Sequence, residues 1–213
     1  MVAGLLWTLV LVFVAPGLAR LVLWQGSNDP ASADPSEVQS GIDPRLGQVA
    51  TELSGLRVRV WCWSSEDWKK RVAEWERRDP LDRKLGPWSG YTDMSASTIH
   101  LSPEICAELR GLVEHDSAIT GAAPRDARAW SLGAFAHEAY HAMGFRDEAV
   151  ATCFGMQVME RAALMLGRSA AEGRHLATLF WKHWYEGLPP SYRSDDCRDG
   201  GRLDLDINAH GWP

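Results

Sequence analysis

The sequence lacks the excess of positive charge that proteins use to bind nucleic acid or anionic lipid. Its 213 residues carry 22 Lys and Arg against 28 Asp and Glu, a formal net charge of -6. This balance gives no electrostatic footprint for a polyanion, so no nucleic-acid partner is expected. Internal repeats are also missing, while 46% of the residues are hydrophobic and 11 are Trp. Such a composition excludes disordered and fibrous classes and predicts one globular domain with a terminal extension.

Motifs of several catalytic classes are absent as well. The chain contains no Gly-x-Ser-x-Gly nucleophile elbow and no Gly-x-x-x-x-Gly-Lys phosphate loop. It also contains no Cys-x-x-Cys pair of the kind found in zinc knuckles and thioredoxin-type sites. These absences leave serine hydrolases of the elbow type, nucleotide hydrolases and dithiol oxidoreductases without support.

A long apolar run opens the chain. Residues from Val2 to Ala19 are uncharged, and apolar residues continue after Arg20. A run of this length is typical of a signal peptide or a transmembrane anchor. Gly17-Leu18-Ala19 offers a small-x-small cleavage site, but a positive n-region is missing, so both interpretations stay open. We therefore predict a membrane or signal segment over 1–24, a flexible polar linker over 25–45 and the folded domain over 46–213.

The four cysteines, Cys62, Cys106, Cys153 and Cys197, are even in number and widely spaced. Together with the apolar N-terminus they favour two disulfides over four buried thiols. Arg20 downstream of the apolar run favours a cytoplasmic domain by the positive-inside rule, but a single charge is a slight bias. The sequence thus predicts an extracytoplasmic domain, either membrane-anchored or secreted.

The folded part is predicted to be α+β and mostly helical, with a small sheet. Residues 56–61 alternate apolar and basic side chains, the period of a strand. Residues 97–101 offer a second strand, which is either an edge strand available to an extended peptide or a core strand. Residues 85–96 have the composition of a loop, and Ser102-Pro103 begins a helix with Ile105, Leu109 and Leu112 on its core face. If the two strands are neighbours, Cys62 and Cys106 come close together, which pairs Cys153 with Cys197.

One segment carries the chemistry. A helix is predicted from Asp126 to Met143, and within it stands the sequence His137-Glu138-Ala139-Tyr140-His141. Residues four apart on a helix share a face, so both imidazoles can reach one zinc ion. Glu138 then lies beside a metal-bound water, where it can act as general base and later protonate a leaving amine.

A catalytic zinc needs a third protein ligand and an open position. Gly144 turns the chain, and a second helix is predicted from Glu148 to Leu166, with small residues that allow close approach of the two helices. Glu148 is our predicted third ligand, because the turn returns it to the metal. Asp147 is an alternative, although its position favours an N-cap role. His175 and His183 lie on a later helix and are expected to be solvated or packed.

The motif His137-Glu138-x-x-His141, followed by Glu148-Ala149 at the start of a second helix, resembles the gluzincin metallopeptidases. Its short spacing is similar to that of the ImmA/IrrE-type peptidases. The resemblance covers about thirty residues and implies a zincin-like fold and a zinc-dependent peptidase, with His137, His141 and Glu148 as ligands and Glu138 as base. The Leu-Leu-Met-Pro ending typical of that family is replaced by Met156-Gln157-Val158-Met159. Because of its apolar N-terminus and four Cys, the chain is expected to belong to an exported branch of such peptidases.

The predicted function is therefore hydrolysis of a peptide or protein substrate through a zinc-activated water. Contact with the membrane is predicted for the N-terminal segment alone. No oligomeric state is predicted. Tyr185, Tyr192, His183 and His210 are the candidates for an oxyanion donor. The alternative function is a non-catalytic, membrane-tethered domain that holds zinc for binding or structure. Such a site would be closed by a fourth protein ligand and would not need Glu138.

Overall fold

A computed structural model describes residues 38–78, 89–114 and 125–206. The predicted membrane or signal segment over 1–24, residues 25–37 of the predicted linker, and His210 lie outside the described residues. In the described part, helices predominate and one small sheet packs beside them. The predicted α+β class is confirmed.

The sheet contains four short strands. They are β1 (Gly41–Ile42), β2 (Arg59–Cys62), β3 (Gly90–Asp93) and β4 (Thr98–Leu101). Their order is β1-β2-β4-β3. The two central strands, β2 and β4, are parallel, with Val60 opposite Ile99, and each outer strand is antiparallel to its neighbour.

One prediction about this sheet is wrong. Part of the predicted loop over 85–96 forms β3, because pairing with β4 overrides the turn-like local composition. The strand predicted over 97–101 is β4, which is flanked by β2 and β3, so the core-strand interpretation of this segment is the correct one. The edge strands of the described sheet are β1 and β3.

The folded domain begins before residue 46, so the predicted linker is wrong for residues 38–45. Val38 is buried, and β1 pairs with β2. The first helix, α1 (Pro44–Ser54), begins with Asp43, whose carboxylate accepts hydrogen bonds from the backbone N–H groups of Arg45 and Leu46. An Asp cap followed by Pro is a helix start, and this signal stands inside the segment whose polar composition predicts a linker.

Six further helices follow along the described chain. They are α2 (Ser65–Arg78), α3 (Pro103–Glu114), α4 (Arg125–Ala142), α5 (Glu148–Gln157), α6 (Met159–Met165) and α7 (Ala170–His183). Two 3₁₀ turns, Tyr185–Gly187 and Pro190–Tyr192, come after α7. The single helix predicted from Glu148 to Leu166 is divided at Val158, whose φ of -94° and ψ of 3° lie outside the helical range. Every helix of the described residues is too short or too polar to span a bilayer.

One face of the sheet forms the core. Val60, Cys62, Ile99 and Leu101 are fully buried on this face, and α1 and α4 pack against the strands. The predicted core face of α3, formed by Ile105, Leu109 and Leu112, is buried as well. The apolar spacing of α3 thus predicts its buried side correctly.

Two disulfides fix the outer elements to this core. Cys62 at the end of β2 is bonded to Cys106 on α3, with Cα atoms 5.9 Å apart, and Cys153 on α5 is bonded to Cys197, with Cα atoms 5.6 Å apart. The pairing predicted from neighbouring strands is confirmed. Two disulfides are typical of proteins that fold in an oxidising compartment.

The opposite face of the sheet is aromatic. Trp61, His100 and Tyr91 lie side by side on β2, β4 and β3, and the rings of Tyr91 and His100 stack with centroids 4.6 Å apart. α2 covers part of this face, with Trp68 stacked on Tyr91 and the Arg71 Nε group donating to the Tyr91 hydroxyl at 2.9 Å. The Nδ1 atom of His100 is buried and has no hydrogen-bond partner within the described residues.

This environment makes the fold sensitive to acid. Burial, aided by the nearby charge of Arg71, lowers the pKa of His100 from 6.5 to about 4, against the weaker effect of Asp93. The unfolded chain therefore binds the proton first, and the contribution of neutral His100 to stability is lost as pH falls from about 6.5 to 4. Between pH 7 and 4.5, we expect the free energy of unfolding of the parent chain to fall by about 1 kcal/mol more than that of His100→Phe. This value is discounted because His100 is partly exposed. Urea unfolding at both pH values measures this; identical losses would contradict it.

Candidate metal centre

The centre is built on α4, which lies between other elements. Its buried positions include Leu132, Phe135, Ala136 and Ala139, and it packs against α3, α5, α7 and β3. A helix buried on several faces has no solvated side on which isolated polar groups can rest. His137, Glu138 and His141 nevertheless stand on this helix, as the sequence predicts. Glu138 is only 7% exposed, which indicates that these polar side chains belong to one interacting group.

A tight turn returns the chain to the same place. Gly144, with a φ of 98°, follows α4 in the left-handed region that favours glycine. Asp147 caps α5 by accepting a hydrogen bond from the backbone N–H of Val150 at 2.9 Å. The next residue, Glu148, begins α5 and directs its carboxylate to His137 and His141. Asp147, the alternative third ligand, therefore has the N-cap role, and Glu148 joins the two histidines.

The close approach of α5 to α4 depends on Gly155. A Cβ atom on this residue would lie 2.7 Å from the backbone nitrogen of His137 and 2.9 Å from its Cα atom. Contacts this short do not occur, so any side chain here would push the two helices apart. The small residues near the start of α5 predict a close approach of the two helices, but the residue that decides it is Gly155, one turn further along.

Three ligand atoms form a small triangle. His137 Nε2 and His141 Nε2 are 2.8 Å apart, and Glu148 Oε2 lies 3.0 Å from the first and 3.2 Å from the second. Zinc with nitrogen ligands at 2.0–2.1 Å and tetrahedral angles needs ligand atoms about 3.3 Å apart. The triangle would have to widen by only a few tenths of an ångström, which small side-chain rotations supply. Two imidazoles and one carboxylate thus fit a divalent ion.

The outer partners of both imidazoles orient them for metal binding. His141 Nδ1 lies 2.6 Å from the carbonyl oxygen of Phe145, and His137 Nδ1 lies 3.0 Å from Thr152 Oγ1. A carbonyl oxygen only accepts, so His141 keeps a proton on Nδ1, and with a metal ion bound its Nε2 would offer a lone pair to the centre. The Thr152 hydroxyl is compatible with the same tautomer of His137.

Charge at the centre favours a cation. Burial alone would lower the pKa of His141, but the hydrogen bond to Glu148, the charge of Glu138 and the Phe145 carbonyl raise it to about 9. Burial likewise opposes ionisation of Glu148, yet hydrogen bonds from His137 and His141 lower its pKa to about 2. His141 and Glu148 therefore form a charged pair in the absence of an ion, and a metal cation would take the place of the shared proton. Within the described residues, these two and His137 are the one group of three or more such side chains arranged to hold an ion.

Comparison of the chain with protein-family models, with curated proteins and with solved structures finds no match.

A cavity of about 500 Å³ opens onto the centre. His137, Glu138, His141 and Glu148 line it together with residues of β3 and the 3₁₀ turn Pro190–Tyr192. Much of the remaining lining is apolar: Trp130, Gly133, Ala134, Phe180, Leu188 and Pro189. The centre is thus reachable by a molecule larger than water, with an apolar surface beside it.

The four candidates for an oxyanion donor have different surroundings. Tyr192 lines the cavity, and its ring stacks on that of His137 with centroids 5.8 Å apart. The Tyr185 hydroxyl is engaged with Ser194 at 3.2 Å and 3.0 Å, and His183 is exposed at the end of α7. His210 lies outside the described residues. His175 is exposed as well, which agrees with the prediction that it is solvated.

The Cys153–Cys197 disulfide links α5, which carries Glu148, to the segment that follows Tyr192. Both disulfides span a sequence separation of 44, so the chain-entropy model predicts that removing either lowers the free energy of unfolding by about 4 kcal/mol. We expect the double variant Cys153→Ala/Cys197→Ala also to lower the affinity for a divalent metal ion about 10-fold, because α5 loses its outer support. The matched variant Cys62→Ala/Cys106→Ala should keep that affinity. Urea unfolding and zinc titration test this, and equal affinities in both would contradict it.

Proposed function

We propose that this chain is a metal-dependent peptidase that uses zinc, with His137, His141 and Glu148 as ligands. The observation that carries the proposal is the position of Glu138, a buried carboxylate that opens to the same cavity as the three ligands. A site that only held an ion would have no use for a second acidic group beside the three ligands. Burial of an unused carboxylate would also destabilise the fold.

The number of ligands supports catalysis over a structural role. Structural zinc sites are closed by four protein ligands, whereas catalytic sites keep three and an open position. In the described ranges, the candidate group has three members. The cavity at the centre leaves room for a water and a substrate in the remaining position. The non-catalytic zinc domain is therefore the less favoured function.

Zinc is the metal that this donor set suits best. Imidazole and carboxylate ligands in a three-residue set are typical of catalytic zinc, and softer ions would favour thiolates. All four cysteines are engaged in disulfides. The donor set also agrees with the resemblance to gluzincin and ImmA/IrrE-type peptidases in this segment.

When bound, the ion would supply the Lewis acidity that polarises a peptide carbonyl and lowers the pKa of a water. Glu138 accepts a proton from the attacking water and transfers it to the nitrogen of the leaving amine. Tyr192, whose ring stacks on His137, donates its hydroxyl proton in a hydrogen bond to the developing oxyanion. His137 and His141 stay oriented through Thr152 and the Phe145 carbonyl.

The proposed substrate is a peptide or an unfolded protein segment. β3 lines the cavity at the end of the sheet, where an extended chain can add alongside it through backbone hydrogen bonds. The apolar lining formed by Trp130, Phe180 and Leu188 suits an apolar side chain next to the cleaved bond. We further propose that the domain works outside the cytoplasm, secreted or membrane-anchored, which its two disulfides support.

Metal removal tests the proposed function. The purified full chain is incubated with denatured casein and a mixed peptide library, and new termini are identified by mass spectrometry. We expect dialysis against a chelator to lower cleavage at least about 100-fold and one equivalent of zinc to restore it, because a catalytic zinc supplies the activated water. His183→Ala serves as a control, since this exposed histidine does not line the cavity. Cleavage that survives complete metal removal would contradict the proposal.

A further inference from the structure

Thr92 stands beside the candidate base on a different element. It lies on β3 opposite Ile99 and lines the cavity. Successive side chains of a strand point to opposite faces, so Tyr91 stacks on the aromatic face while Thr92 faces α4. Its Oγ1 atom is 2.8 Å from Glu138 Oε2 and 2.9 Å from the backbone carbonyl oxygen of the same residue.

The hydroxyl of Thr92 has one proton and two acceptors within reach. The carboxylate is the charged one, and hydrogen bonds to charged acceptors are shorter and stronger than those to neutral ones. Glu138 Oε2 is therefore the favoured acceptor. In the described part of the chain, Thr92 is the side chain that hydrogen-bonds the Glu138 carboxylate.

From this contact we infer that Thr92 is the positioning residue of Glu138. It fixes Oε2 against the sheet and leaves Oε1 for proton transfer at the centre. The contact with both the backbone and the carboxylate of one residue holds the side chain in a single orientation, and a base must be held to within a few tenths of an ångström of its productive position. This inference rests on the proposed role of Glu138.

Three variants of the full chain test the inference. Thr92→Val removes the hydroxyl and keeps the shape, whereas Thr92→Ser keeps the hydroxyl. Thr98→Val is the matched control, because Thr98 is a buried threonine of the same sheet whose hydroxyl donates to the Ala96 carbonyl at 3.0 Å. Each variant is loaded with zinc, and its zinc content, kcat and KM are measured.

A second readout does not depend on hydrolysis. Acetohydroxamate chelates zinc and gives up a proton on binding, so its affinity reports how well a neighbouring base is held. Its dissociation constant is measured by calorimetry for the same three variants and for Glu138→Gln.

We expect Thr92→Val to keep its zinc and its KM within about twofold while kcat falls 10- to 100-fold, the effect typical of losing an orienting partner. Acetohydroxamate should bind Thr92→Val about as weakly as it binds Glu138→Gln. Thr92→Ser should restore both values, and Thr98→Val should match the parent chain.

Parental behaviour of Thr92→Val in both assays would overturn the inference, as would failure of Thr92→Ser to restore them. A parent chain that binds no zinc would overturn it together with the proposed function. If the parent chain binds zinc and acetohydroxamate but cleaves no peptide, and the variants differ as expected in affinity, the peptidase proposal fails and the role of Thr92 stands.

Discussion

Glu138→Gln is expected to keep the zinc and the fold while kcat/KM for peptide cleavage falls about 10²- to 10⁴-fold, the contribution typical of a general base. The amide has nearly the same shape as the carboxylate and can accept the same hydrogen bond from Thr92. It cannot take a proton from water at neutral pH. The variant also spares the fold, because the amide keeps the hydrogen bond from Thr92 and Glu138 forms no direct salt bridge among the described contacts.

The measurement is a comparison of steady-state kinetics with zinc content and melting temperature. Glu108→Gln is a suitable control, since Glu108 is equally buried and is paired with Arg128, and neither residue lines the cavity. Equal rates for Glu138→Gln and the parent chain would remove Glu138 from the mechanism. Loss of zinc in Glu138→Gln would instead make it part of the metal site.

Glu148→Ala is expected to weaken zinc binding at least about 100-fold, more than the loss of an outer-sphere partner costs. Two imidazoles would remain, and the negative charge that favours a cation beside them would be gone. Cleavage should fall in parallel at limiting zinc. A competition titration against a chromogenic chelator measures the affinity directly.

The neighbouring acid provides the matched control. Asp147→Ala removes the N-cap of α5 and should cost about 1 kcal/mol of stability while zinc affinity stays within a few-fold of the parent. The reverse pattern, with affinity lost in Asp147→Ala and kept in Glu148→Ala, would transfer the third-ligand role to Asp147. If neither variant loses zinc affinity, the third ligand beside the two histidines is a residue elsewhere in the chain.

The parts of this centre that are close in sequence could be predicted from it. His137 and His141 share a face because of helical periodicity, Glu138 directly follows the first of them, and Gly144 marks the turn that returns Glu148 to the two histidines. The disulfide pairing spans 44 positions and needed one assumption beyond local signals, that the two predicted strands are neighbours. Short-range rules suffice wherever the chain returns within a few residues.

The parts that depend on distant elements could not be predicted. Thr92 meets Glu138 across 46 positions of the chain, and its strand has the composition of a loop until β4 pairs with it. The break at Val158 has no Gly or Pro to mark it, and Gly155 acquires its meaning only when α5 packs on His137. Such features depend on contacts between segments that are distant in the chain, and local sequence patterns do not show which segments come into contact.

The zinc content of the purified full chain decides whether the metal centre exists. Elemental analysis after dialysis against metal-free buffer is compared between the parent chain and His141→Ala. We expect about one zinc per parent chain and a small fraction of that in His141→Ala, because His141 Nε2 is one corner of the ligand triangle. A parent chain that retains no zinc at any added concentration, or a His141→Ala variant that retains as much as the parent, would contradict the metal centre.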